Sequence, residues 1–308
     1  MAPVVRIGVA ASPYDVPFHL AVSRGYFVGL GLDAELVRLS NADALLAAVI
    51  AGQLDAAAVA PSAALFDALA RPWGAPRIVA TAGQALPGHS PAAVLLRPTL
   101  SPPPALDLRG RLVGAELYGP GGRNMALALA RLGLTPDDVQ LVDLPPEAAL
   151  QALAAGQLDA AYGVEPLATA LVVQGRAVRW LGVDVLEPGQ ELAVLLFSPN
   201  LLAHRRTVAI RLLAAYRQAQ ETYRAAVRTA AGREALAGEL ARALGIADPA
   251  VTARLSPVGY PPDGAPNVAS LAAIQEHFQQ AGLLERPADL TAALDLNLLA
   301  AAEAYRQP

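Results

Sequence analysis

The heptapeptide Ala-Gly-Gln-Leu-Asp-Ala-Ala stands at Ala51–Ala57 and returns unchanged at Ala155–Ala161, 104 residues later (155 − 51). Each copy follows an apolar stretch of helical periodicity, Ala44–Ile50 and Ala148–Ala154. Each then runs into a short strand-like segment ending in proline, Ala58–Pro61 and Tyr162–Pro166. Solenoid units are about 20–50 residues long, so this spacing points instead to two lobes of similar α/β build. Two such lobes facing each other make a cleft, where a function is expected.

Outward from the first copy, Val4–Ala10 reads as a buried strand, Pro17–Arg24 as a helix stopped by Gly25, and Asp33–Leu39 as an alternating strand. Ala42–Ala51 is helical, Ala56–Ala60 a strand, and Ser62–Leu69 a helix with Ser62 as N-cap. Strands at Arg77–Ala82 and Ala92–Leu96 follow, and Pro98–Pro104 breaks the pattern. It restarts with strand Leu112–Ala115, loop Gly119–Gly122, helix Arg123–Leu132 and strand Val139–Leu144. Helix Glu147–Ala155, strand Ala160–Val164, helix Leu167–Gln174 and strand Val178–Leu181 complete it. Ala193–Phe197 reads as a strand leading back. From about Leu201 the chain is helical: Thr207–Thr229, Arg233–Leu244, Val268–Ala281 and a last segment near Asp289–Tyr305. Such alternation implies α/β lobes, each a mainly parallel sheet flanked by helices, with a helical C-terminal extension. The expected division is a discontinuous lobe one, residues 1–90 and 198–308, with lobe two, 91–197, inserted. Two chain crossings would favour a hinge.

Composition narrows the function. A chain of 308 residues has room for two cores, and no apolar run reaches the roughly 18–20 residues of a membrane helix. A net charge of −4 without a basic block argues against nucleic acid or an anionic membrane as partner. All 23 basic residues are arginine, which removes P-loop and Schiff-base chemistry. The absence of cysteine removes thiol nucleophiles and Cys-based metal sites. His19, His89, His204 and His277 lack metal spacing, and His89-Ser90 lacks the second glycine of a nucleophile elbow. No metal, cofactor or catalytic residue is expected. Val4 begins a strand directly after Met1-Ala2-Pro3, which leaves the compartment open.

Pro17, Ala21, Gly25-Tyr26-Phe27 and Gly31-Leu32-Asp33 are similar to the start of the ABC-importer binding proteins for thiamine-pyrimidine precursors, sulfonates, taurine and nitrate. Both Gly-Gln-Leu-Asp-Ala-Ala copies, Asp107-Leu108-Arg109-Gly110, Glu165-Pro166 and Leu294-Asp295-Leu296 resemble further motifs of that family, so the resemblance covers nearly the whole chain. It implies a type II periplasmic-binding fold and a non-enzymatic monomer that docks on a membrane permease. The implied location is periplasmic or otherwise extracytoplasmic, with a native lipid anchor left open.

In open α/β sheets ligands bind beyond the carboxyl ends of the strands, and the helix N-termini there carry unpaired N–H groups. The expected ligand residues are therefore Tyr14, Phe18, Asn41 and Ser62 in lobe one, and Tyr118, Gly121, Gly122, Arg123, Asn124, Tyr162 and Glu165 in lobe two. Glycines let the backbone approach a ligand, tyrosines stack on flat rings, and Arg123 and Asn124 hydrogen-bond polar groups. Helix capping is the competing role for Asn41, Ser62 and Glu165. Glu165 replaces the Ala60 of the first copy, and a carboxylate there would repel an oxyanion and welcome N–H donors. A flat nitrogen heterocycle, such as a thiamine pyrimidine precursor or a riboflavin-type vitamin, is the expected ligand. A sulfonate or other small oxyanion is the in-class alternative, and a menaquinone-route type of enzyme on the same fold lies outside the class.

Overall fold

The protein is represented by a computed structural model that describes residues 2–101 and 103–305. Pro102, inside the proline-rich break, lies outside the described residues, as do Met1 and 306–308. The strands are β1 (Val4–Val9), β2 (Asp33–Arg38), β3 (Ala56–Val59), β4 (Arg77–Gln84), β5 (Ala92–Leu96), β6 (Leu112–Ala115), β7 (Gln140–Asp143), β8 (Ala160–Val164), β9 (Val178–Gly182) and β10 (Glu191–Phe197). They form two five-stranded sheets, β2-β1-β3-β10-β4 and β7-β6-β8-β5-β9.

The two sheets share one plan. In the first, β1 pairs parallel with β2 and β3, while β10 runs antiparallel between β3 and β4. In the second, β6 pairs parallel with β7 and β8, while β5 runs antiparallel between β8 and β9. Each sheet is thus mixed, with one reversed strand. That strand is in each case the first one laid down after the chain arrives from the other unit, without a helical crossover to enforce parallel pairing.

The chain separates into two compact units, one running through Gln84 with Glu191–Ala247 and the part from Gly259 onward, the other comprising Ala85–Gln190 and Asp248–Val258. It therefore passes between units four times, after Gln84, Gln190, Ala247 and Val258. The short helix Pro249–Arg254, not foreseen from the sequence, belongs to the second unit. In the first unit the helix Arg206–Val227 buries Leu212, Leu213, Tyr216 and Tyr223, and Phe66 meets Phe278 at 6.2 Å between ring centroids.

The repeated heptapeptide has a structural reason in both units. Gly52 (φ +69°) and Gly156 (φ +75°) sit in the left-handed region just past the helices Ala42–Ile50 and Pro146–Ala154, a conformation open to glycine at little cost. Leu54 and Leu158 then enter the two cores. Asp55 N–H donates to Arg6 O (2.7 Å), its Oδ2 accepts from Arg6 N–H (2.9 Å), and Arg205 pairs with the same carboxylate. Asp159 repeats this on Leu112 (2.8 and 3.2 Å), with Arg97 as its ion partner. Each aspartate ties the start of one strand to its neighbour. Gly8 and Gly114 occupy matching places: a Cβ on either would stand 2.5 Å from the Leu54 or Leu158 side chain.

Two local expectations are corrected. The stretch expected as a loop at Gly119–Gly122 is already helical from Pro120, because proline at the first helical position is pre-set for the helix and lacks only an orphan N–H. The last helix is split into Leu290–Ala293 and Leu296–Glu303, because Asp295 restarts it as an N-cap on Leu298 N–H.

Candidate functional site

In the first unit the carboxyl edge is built by the turn after β1, the ends of β2, β3 and β4, and the start of β10. Ala11 has φ +54°, which strains a non-glycine residue. The Pro13–Asp15 turn that follows is closed by a capping box between Ser12 and Asp15. Asp15 is wholly buried, and its Oδ2 accepts from Ala10 N–H (2.8 Å) and Ser12 N–H (2.9 Å). Its Oδ1 is sealed from solvent and has no hydrogen-bond partner. Burial outweighs these donors and the nearby Arg38 charge, pushing the carboxyl up to about 6.

Around it stand tyrosines. Tyr216 packs on Phe18 at 4.7 Å, and Tyr260 meets Tyr223 edge-on at 5.6 Å. Burial first, then the Asp15 charge, raises the Tyr216 hydroxyl; burial and neighbouring tyrosines raise that of Tyr260. The Tyr260 hydroxyl is buried without a partner. Beside this cluster lies a polar network with its bonds made. Glu191 accepts from Thr81 Oγ1 (2.5 Å), Gln84 Nε2 (3.0 Å) and Asn267 N–H (2.6 Å). Burial pushes its carboxyl up to about 8. Arg217 donates to Gln220 Oε1 (2.6 Å) and Pro262 O (2.7 Å), while Gln220 Nε2 donates to Thr81 O (2.9 Å).

Of the residues expected in this unit, Tyr14 is buried in the turn beside Asp15. Phe18 is fully buried, and its ring packs against Tyr216 instead of facing an open edge. Asn41 and Ser62 cap the helices Ala42–Ile50 and Ala63–Leu69 by accepting from Ala44 N–H (2.9 Å) and Leu65 N–H (3.2 Å).

In the second unit the edge is made by the turn after β6, the end of β8, the start of β5 and the end of β9. Gly121 and Gly122 lie in the first turn of the helix Pro120–Ala130, pressed so close that a Cβ on Gly121 would stand 2.9 Å from the Tyr162 ring. Tyr162 is buried there, whereas Tyr118 is 59% exposed. Asn124, on the same helix, is fully buried, and both its amide atoms lack partners. Gln190 shares that condition. Buried polar groups are normally hydrogen-bonded, so each exception asks for an explanation.

Arg123 and Glu165 both have partners within this unit. Arg123 forms a two-pronged ion pair with Glu187, one prong at 2.7 Å, so its charge is already matched. Glu165, 4% exposed, accepts from Thr169 N–H (3.0 Å), Thr169 Oγ1 (2.8 Å), Arg179 Nη1 (2.9 Å) and Ser256 N–H (3.2 Å). Four donors share its two oxygens, and its charge is balanced by arginine. A carboxylate so held neither repels an oxyanion strongly nor offers a free acceptor to a heterocycle.

Asp15, between Tyr14 and Phe18, is not among the ligand residues expected from the sequence, because the aromatics of that turn carry the more visible signal. Tyr216 lies in the helix Arg206–Val227, where periodicity reads as packing, and Tyr260 in the non-helical segment before the helix Val268–Gln280. Among the described residues no group of acidic and histidine side chains is arranged to hold a metal ion, and no helix is long and apolar enough to cross a membrane.

Comparison with known proteins agrees with this architecture. Residues 12–226 match the family model described as "NMT1/THI5 like". A Brucella abortus protein whose name carries the words "Putative binding protein" is 29% identical over 158 residues, 51% of this chain and 46% of that protein. The chain thus spans about half the length of the curated relatives it matches. Among solved structures, the periplasmic nitrate-binding protein NrtA of Synechocystis PCC 6803 superposes with TM-score 0.79 at 14% identity, covering 100% of this chain and 90% of the other. The periplasmic aliphatic sulphonate-binding protein SsuA of Escherichia coli gives 0.76 at 20%, covering 96% and 92%. The desulfurization enzyme DSZB gives 0.66 at 18%, covering 98% and 99%. At such identities these likenesses show the shared fold. The match to the family model extends over more than half of the chain, and the chain belongs to the NMT1/THI5-like family.

Proposed function

We propose that this NMT1/THI5-like protein is the solute-binding component of an ABC-type importer, working outside the cytoplasm and delivering a small solute, chemically unchanged, to a membrane permease. What carries the proposal is a feature shared by both units: a wholly buried side chain with unpartnered polar atoms stands at the carboxyl edge of each sheet or in the opening turns of a helix that leaves it. Asp15 is that residue in the first unit and Asn124 in the second. Leaving such an atom unpaired costs about 1–3 kcal/mol, more for a charged group, a cost that a bound solute removes. Capture by hinge bending at the four chain passages is part of the proposal.

For the solute, an aliphatic sulfonate or another small oxyanion-bearing compound is the first reading. The SsuA and NrtA neighbours are named for sulphonate and nitrate, and the Glu165 charge that would have opposed an anion is paired with Arg179. A flat nitrogen heterocycle is the second reading, favoured by the tyrosines around Asp15 and the unpartnered Oδ1. A non-enzymatic role is favoured over DSZB-like catalysis by the binding-protein neighbours SsuA and NrtA and by the lack of any cysteine or lysine nucleophile.

The test is a thermal-shift panel of sulfonates, nitrate and pyrimidine-type vitamin precursors, each followed by chemical analysis of the solute. A true ligand at 100 times its Kd adds about 2.7 kcal/mol of stability and is recovered intact. Conversion of a panel member to a product would instead assign the chain to the enzymes of this fold.

A further inference from the structure

Three of the four chain passages end, on the first unit's side, at one buried carboxyl group. The chain leaves this unit after Gln84, re-enters at Glu191 and, after Asp248–Val258, re-enters again at Gly259. Gln84 N–H donates to Gly259 O (2.8 Å), and its Nε2 donates to Ala265 O (2.9 Å) and Glu191 Oε2 (3.0 Å). Glu191 Oε2 also accepts from Asn267 N–H (2.6 Å), and its Oε1 accepts from Thr81 Oγ1 (2.5 Å). Its own N–H donates to Ser270 Oγ (2.9 Å). The end of β4, the start of β10 and the segment 259–267 are thus fastened to one another through a single, wholly buried side chain.

Glu165 in the second unit shows what Glu191 lacks. It too is buried and accepts several hydrogen bonds, but Arg179 matches its charge. Among the described residues no salt bridge reaches Glu191. The charged and titratable groups on the surrounding elements are engaged elsewhere or lie farther along them. On the helix Arg206–Val227, Arg217 bonds Gln220 and Pro262 O and pairs with Glu303. Tyr216 on that helix has its hydroxyl raised by burial first, with the Asp15 and Glu191 charges adding. Tyr260 and Asp263 lie on the segment 259–267, Arg77 starts β4, and Glu276 and His277 come late in the helix Val268–Gln280. Burial, outweighing the three donors, pushes the Glu191 carboxyl up to about 8.

The two protonation states therefore hold the passages differently. A neutral carboxyl keeps the fastening, since it still shares a hydrogen bond with Thr81 Oγ1 and still accepts on its other oxygen. An ionised one is a charge sealed from water without a counter-ion, and hydrating it requires the gathered segments to part. We propose that Glu191 is a pH-sensitive hinge clasp, which holds the first unit's ends of three chain passages together while neutral and releases them when ionised. Release widens the range of arrangements that the two units explore. The inference rests on the reading of the chain as a hinged binding protein and adds its regulation, a weaker hold on solute in an alkaline medium.

The chain has no cysteine, so Val28→Cys and Val185→Cys, at exposed positions of the first and second unit, can be spin-labelled uniquely. The distance distribution between the labels, measured without solute, reads the hinge directly. From about pH 6.5 to about pH 9 it should broaden about twofold, with the midpoint at about pH 8. Glu191→Gln, a neutral stand-in for the protonated carboxyl, should keep it narrow throughout. Thr81→Val removes a donor that favours the ionised form and should move the midpoint upward, and it serves if Glu191→Gln does not fold.

A distribution unchanged across this range in folded protein overturns the clasp. So does a broadening that persists in Glu191→Gln, or a midpoint that Thr81→Val leaves in place. A fall in Tm with pH at constant distances marks a stabilising role alone and overturns it as well. No solute enters the measurement, so each of these outcomes leaves the binding-protein reading standing. That reading falls only if a solute is converted.

Discussion

The two copies of Ala-Gly-Gln-Leu-Asp-Ala-Ala do the same structural work and then part company. Up to Ala57 and Ala161 the units correspond in their main bonds: a left-handed glycine, a core leucine and an aspartate clamping the next strand. A few residues later the first unit continues Ala60-Pro61-Ser62 and the second Glu165-Pro166-Leu167. The shared part lies at the amino edge of each sheet and the divergent part at the carboxyl edge. The scaffold is common to both units, and the carboxyl edges differ.

If the clamps are equivalent, Asp55→Ala and Asp159→Ala should cost similar stability, about 3 kcal/mol each, since each strands a strand N–H and one or more arginines. Urea unfolding of both variants measures this; a large inequality would break the equivalence. Gly8→Val and Gly114→Val come next, at about 1–3 kcal/mol from overpacking against Leu54 and Leu158, read as a drop in Tm.

The edges should respond in opposite directions. Glu165→Gln should lose about 1–2 kcal/mol at neutral pH, because the amide cannot serve all four donors and leaves Arg179 without its counter-charge. Asp15→Asn should instead gain about 1 kcal/mol in the free protein by removing a buried charge. Matching losses from the two substitutions, in the same melts, would show that both carboxylates are structural.

A separate effect is on pH dependence. The folded-state values of Asp15 and Glu191 are raised above their unfolded values, so both groups bind protons more tightly in the folded state. The stability they contribute is complete below the unfolded range. It declines as pH rises from 3.8 to about 6 for Asp15 and from 4.5 to about 8 for Glu191. Denaturant melts at about pH 5 and pH 8 should show that decline, and Glu191→Gln should flatten its upper part.

Much of the fold was legible because its signals are local. Strand periodicity, the proline and glycine stops and the repeat itself each lie within a few residues, and β5, β6 and β8 stand where the pattern placed them. The reversed direction of β5 and β10 was not legible, since pairing direction depends on which strand the chain meets after changing units. The site was less open to reading for a similar reason. Asn124 and Glu165 were singled out by chain position, yet whether a side chain is already engaged depends on distant partners, Arg179 and Ser256 for Glu165 and Glu187 for Arg123. Asp15 carries its meaning in a bond it lacks, which no spacing announces.

The most direct measurement of the central claim is a solution NMR titration in which the solute's own signals are followed in the presence of protein. One of the sulfonates, nitrate or the pyrimidine-type precursors should show saturable one-to-one binding and be recovered unchanged after prolonged incubation. New product signals would contradict it.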